Sequence, residues 1–179
     1  MDDTPLVLAM PRRELFRIHG FTQRVEPGIL TSILEDGWYA SPEAIAADSD
    51  SKEVRIGVLM RRPDGAGASQ YLVSEDGILL HVSPIPPESA KFGEGLVALR
   101  RFAQALGEAL LRHGDCRIEL VGYCNEDALA ECRRCFLLIY RLTAAADVPA
   151  PEGMSWVSKS ALIGLALDPV SALVTEAAV

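Results

Sequence analysis

Basic residues are in short supply in this chain of 179 residues: 17 lysines and arginines stand against 25 aspartates and glutamates, a formal net charge of −8. A protein that grips a nucleic-acid backbone gains affinity by releasing counterions from a clustered basic face. The deficit argues against such a surface, and no nucleic-acid partner is expected. Long apolar runs are also missing near the start. The stretch MDDTPLVLAM opens on two acids and holds only a short apolar segment, which suits neither a basic-led signal peptide nor a bilayer span of about 20 residues. No membrane partner and a cytoplasmic location are the expectation. Histidine is sparse and scattered: His19, His81 and His113 fall in no metal-ligand or nucleophile-elbow spacing. A P-loop is absent too, because the run GEGL lacks the Gly-Lys-Ser or Gly-Lys-Thr that completes a phosphate cradle.

Cysteine is present but poorly spaced for a metal. Cys132 and Cys135 form one Cys-x-x-Cys pair, whereas Cys116 and Cys124 are separated by a strand-like run, so the second knuckle of a structural zinc site is missing. Cys135 opens the apolar run CFLLIYRL. A redox motif instead sets its first cysteine at a helix N-terminus, where the thiolate is stabilised. Reduced thiols with a packing role are expected.

What the chain does have is apolar content, 49%, enough for one domain with a sizeable core. The organising stretch is 92–114, FGEGLVALRRFAQALGEALLRHG. Leu96, Leu99, Phe102, Ala103, Leu106 and Leu110 recur at helical spacing, with Arg100, Arg101, Gln104, Glu108 and Arg112 on the other sides. Gly93 and Gly95 provide a flexible entry, and Gly114 is the expected stop after the cationic Arg112 and His113.

Upstream, residues 1–50 read as a mostly helical lead-in packed on a domain of 51–179. Pro27 opens a helix through Leu34, and Ser41-Pro42-Glu43 starts a second over the alanine-rich EAIAAD. Residues 54–60, VRIGVLM, alternate as a strand with one buried face. The turn RRPDGAGASQ reads as a hairpin loop. Further strands are predicted at 71–73 and 78–82 around the Asp76-Gly77 turn, then at 117–123, 135–142 and 154–157. A serine-capped helix over 158–167 and a last helical turn or two over 170–177 complete the chain.

A mixed sheet carrying helices is an α+β sandwich. In this order of elements the chain resembles the Nudix hydrolase family. The resemblance rests on the glycine-bearing loop before the long helix, on Arg100-Arg101-Phe102-Ala103-Gln104-Ala105-Leu106-Gly107, on the strand IELVGYCNE, and on Gly153-Met154-Ser155-Trp156-Val157 followed by a helix. VLAMPRREL near the start, with the short acidic helix before the first central strand, is similar to a bacterial subgroup described as predicted phosphoesterases. The family implies a Nudix-like α/β/α sandwich with a mixed central sheet. It also implies hydrolysis of phosphoanhydrides with magnesium or manganese, held by the glutamates of a box: Gly, five residues, Glu, seven residues, then Arg-Glu-apolar-any-Glu-Glu-any-Gly-apolar.

With the box arginine at Arg100, the apolar position falls on Phe102 and the glycine on Gly107. The helical carboxylates fall on Arg101, Gln104 and Ala105, and the upstream glycine and glutamate on Pro86 and Phe92. Hard cations need oxygen ligands. A glutamine offers one neutral oxygen, an alanine none, and Arg101 puts a positive charge where the cation would sit. The expectation is a degenerate Nudix box in a catalytically silent or strongly altered domain, with no catalytic residue and no cofactor. Such a domain would bind a nucleotide-like small ligand or a protein partner through Arg100, Arg101, Gln104, Glu108 and Glu94. Arg101 in that case contacts a phosphate directly; the plainer possibility is that these side chains form only the solvated side of a helix. Two alternatives stay open. One is a metal-dependent pyrophosphohydrolase acting on a nucleoside diphosphate derivative, with Glu88, Glu94 and Glu108 as non-standard ligands to magnesium or manganese. The other is a homodimerisation module, prompted by the apolar tail SALIGLALDPVSALVTEAAV.

Overall fold

A long central strand sets the architecture. The computed structural model describes residues 5–15, 18–23, 26–89 and 95–179, the side chains of 177 and 178 excepted. In chain order the elements are β1 (Val7–Pro11), a 3-10 turn (Arg12–Leu15), β2 (Gly20–Thr22), α1 (Pro27–Asp36), β3 (Trp38–Ala40), α2 (Pro42–Ala47), β4 (Ser51–Pro63), β5 (Ser69–Ser74), β6 (Leu80–Pro84), a 3-10 turn (Pro87–Ser89) and α3 (Leu96–Leu111). They continue through β7 (Arg117–Asn125), β8 (Cys135–Thr143), β9 (Met154–Ser158), α4 (Lys159–Leu162) and α5 (Pro169–Ala178).

With 13 residues, β4 is long enough to pair with several strands along one side. β1 takes its start, β6 its middle and β5 its end, all antiparallel. Along the other side runs β8, parallel to β4 from Glu53↔Cys135 to Arg61↔Thr143. β7 and then β2 extend the sheet beyond β8, β3 flanks β1, and β9 flanks β5. Parallel neighbours need a long crossover, and here β5, β6 and α3 all lie in the connection between β4 and the pair β7–β8.

Both faces of the centre are buried, which is why β8 reads as an unbroken apolar run rather than an alternation. Val54, Ile56, Val58 and Met60 of β4 and Phe136, Leu138, Tyr140 and Leu142 of β8 face α1 and α3. Leu59 of β4 and Cys135, Leu137 and Ile139 of β8 face the other way, toward Leu162 of α4 and Val170 and Val174 of α5. Residues 54–60 therefore have two buried faces, where the alternation predicted one. The result is the expected α/β/α layering.

Several expectations are corrected. Residues 1–50 are more than a helical lead-in: α1 and α2 form where proline and Ser41 predict them, but β1 and β3 pair into the sheet next to β4, so the sheet runs across residue 50. The buried stripe of α3 is centred on Leu99, Ala103 and Gly107, with Ala98 and Leu111, while Leu96 is exposed and Phe102, Leu106 and Leu110 are only partly covered. The left-handed residue that ends α3 is Arg112, at φ 51°, and not Gly114. The helix predicted over 158–167 stops at Leu162, because the chain must turn for Asp168 to donate its backbone N–H to the Gly77 carbonyl and to cap α5. That cap makes α5 a full helix of 10 residues.

Candidate functional site

The helix on which the family resemblance rests lies close against the sheet. A Cβ at Gly107 would stand 3.1 Å from Leu142 and 3.2 Å from Val58. A glycine at this point lets α3 approach β4 and β8 closely. One helical row, Arg100, Gln104 and Glu108, then falls beside the outer edge of β7. β2 pairs with β7 only at Tyr123, Cys124 and Asn125, leaving the first half of β7 without a strand on that side among the described residues.

Side chains of α3 take the missing strand's place. Arg100 donates from Nη2 to the Ile118 carbonyl at 3.3 Å. Gln104 Nε2 donates to the Cys116 carbonyl at 3.3 Å and to Glu108 Oε1 at 2.9 Å. The same Glu108 oxygen accepts the Cys116 backbone N–H at 3.4 Å. Burial pushes the Cys116 thiol up, and the Glu108 and Asp115 carboxylates add to it. Tyr140 is pushed up to about 12 by burial and by Tyr123, with the Arg100 charge acting against both.

The remaining predicted site residues are dispersed. Arg101 lies on the exposed side of α3. Glu88 sits in the Pro87–Ser89 turn, where its charge adds to burial in raising the Tyr39 hydroxyl. Glu94, with the loop around Phe92 and Gly93, lies outside the described residues. Among the described residues, no three or more His, Cys, Asp or Glu side chains converge to hold a metal ion. The α3 row itself offers one carboxylate, already accepting from Gln104 and Cys116, which does not fit a hard divalent cation. An open cleft of about 800 Å³ lies at the far end of α3, lined by Arg112, His113, Pro151 and Glu152.

Sequence reasoning missed a buried lysine with three hydrogen bonds. Lys52, fully buried at the start of β4, donates to Asn125 Oδ1, to Asp127 Oδ1 at 2.6 Å and to the Cys132 carbonyl at 3.3 Å. Asn125 in turn donates to the Leu15 and Ile18 carbonyls, and Arg12 reaches Asp127 and the Arg133 carbonyl. Partial burial works against ionisation of Asp127, yet Lys52, then Arg12 and Arg133, hold its carboxyl below the usual carboxylate range. This network pins the segment after β7 to β4 and to the first 3-10 turn. The only sequence signal for it was a lysine at the head of a buried strand.

All four cysteines are free and buried. The neighbouring Cys124 and burial push the Cys132 thiol up to about 12, against the pull of Cys135 and Lys52. Cys135 is raised further, first by Cys132 and then by burial. Burial and a raised pKa make Cys132 and Cys135 poor nucleophiles.

No family model and no curated protein matches the chain. Among solved structures, Tm1382, described as a candidate Nudix hydrolase, superposes with a TM-score of 0.75 over 96% of each chain, at 12% sequence identity. The fold is Nudix-like. RenU, a Nudix hydrolase from M. smegmatis, aligns over 68% of this chain and 81% of its own at 17% identity, but its TM-score of 0.33 carries no structural argument. Within the Nudix-like sandwich, α3 and its Gly107 contact supply the close helix–sheet packing, and the Arg100–Gln104–Glu108 row is spent on the edge of β7. No helix among the described residues is long and apolar enough to cross a membrane.

Proposed function

We propose that this chain is a Nudix-like domain with a degenerate box that has given up metal-dependent hydrolysis and acts by binding, with a nucleotide-like small molecule as the ligand class. The observation that carries this reading is the occupation of the α3 row. Gln104, at a box carboxylate position, bonds the Cys116 carbonyl and Glu108, and Glu108 is held by the Cys116 N–H. A cation that took Glu108 Oε1 would compete with the Cys116 N–H and Gln104 for that oxygen, and the row supplies no second carboxylate. Arg101, at another carboxylate position, brings a cation of its own, suited to an anionic group and unsuited to magnesium or manganese.

The test is phosphate release from nucleotide sugars, dinucleoside polyphosphates and nucleoside triphosphates, with magnesium or manganese and with chelator as control. The expected result is no cation-dependent release on any substrate. The same panel then raises the thermal midpoint for those compounds that bind, because a ligand specific to the native state stabilises it by mass action. Cation-dependent release, abolished in Glu88→Gln, Glu94→Gln or Glu108→Gln, would overturn the proposal and restore the hydrolase reading.

A further inference from the structure

The layer of helices opposite α3 ends in an apolar surface that the α3 site does not use. α4 and the turn after it run beside α5, and between them lies a half-open groove of about 550 Å³, lined by Leu162, Leu165, Leu167 and Ala172. Ile163, 84% exposed, belongs to the same lining and stands at its rim, with Leu165 at 43%. A single exposed apolar side chain is ordinary, whereas a projecting isoleucine at the rim of an apolar groove makes a contiguous patch of the kind that marks a binding surface. Lys159 and Glu176 border the groove, and neither makes a salt bridge among the described residues.

We propose that this surface binds a second copy of the same chain as an isologous dimer. The Ile163 side chain of each protomer enters the other's groove, and Lys159 meets the partner's Glu176. A two-fold contact requires that one patch carry both halves of every interaction. Here it carries projection and recess, cation and anion. The net charge of −8 makes two copies repel at a distance, so self-association needs an apolar centre with local pairs of opposite charge, and this patch has both.

Sedimentation velocity across a concentration series tests the pairing. A concentration-dependent dimer is expected, and Ile163→Glu should weaken it by roughly tenfold or more, as loss of a central anchor does. Because Ile163 is exposed, that variant should keep its circular-dichroism spectrum and remain folded. Lys159→Glu should weaken the dimer by setting two carboxylates together, and Lys159→Glu with Glu176→Lys should restore it. A dimer indifferent to Ile163→Glu, or a charge swap that fails to restore association, would overturn the proposal. So would a monomer at every concentration, including one whose groove takes up a hydrophobic dye.

Discussion

At Gly77 the backbone has φ 77°, and a Cβ built there would stand 2.1 Å from the Ala166 carbonyl oxygen. The bare Cα lets the turn after β5 and the turn after α4 pass in contact, so that Asp168 can reach the Gly77 carbonyl. Gly77→Ala combines a disfavoured dihedral with a backbone clash and is expected to cost about 2–4 kcal/mol in a denaturant titration; a variant within about 0.5 kcal/mol of the parent would mean the two turns are free to part. His81 is a different kind of constraint. Burial lowers its pKa from 6.5, with the Asp168 charge opposing, and its Nε2 is enclosed without a partner among the described residues. Since the unfolded chain takes up this proton first, stability is complete above 6.5, falls as the pH drops from there toward the lowered native value, and is level below it. Denaturation midpoints measured between neutral and mildly acidic pH should show that decline, and His81→Gln should flatten it; an unchanged slope would assign the decline to other groups.

Among the elements, α5 is tied to the sheet by one hydroxyl. Ser171, fully buried, accepts the backbone N–H groups of Leu79 at 2.9 Å and Leu80 at 3.0 Å, which anchors α5 at the start of β6. Ser171→Ala leaves two buried donors unmatched and should cost roughly 2–4 kcal/mol, read as a lower urea midpoint; Ser171→Thr, which keeps the oxygen, should recover part of it. Elements of this kind differ in how far the sequence announces them. Ser41 caps α2 and Ser158 caps α4 through their own hydroxyls, local chemistry that a reader of the sequence can follow. The entry of β1 and β3 into the sheet and the register of β6 against β4 depend on partners distant along the chain, and nothing within a short window encodes them. The α3 row was legible as residue types and not as a role: Gln104 and Glu108 read as candidate ligands because the half-open edge of β7, which they complete, exists only once β2 has been placed.

For the molecule as a whole, the layered Nudix-like sandwich was legible from the order of strands and helices, helped by the family resemblance, while the Lys52 network was not, because it joins Leu15, Asn125 and Cys132 around one ammonium. The centre of the sheet has the same non-local character. Val58 pairs with Tyr140 and Glu53 with Cys135, in parallel, with α3 and β7 formed from the chain between them. Parallel pairing across such a separation must pay loop-closure entropy before it is rewarded. Refolding monitored by stopped-flow fluorescence of Trp38 and Trp156 should therefore run on a millisecond-to-second scale or slower; a complete submillisecond phase would contradict this. A chain made from its N-terminus faces the same problem during synthesis. β4, the strand that the finished sheet is built on, has its longest flank bare until β8 has been made.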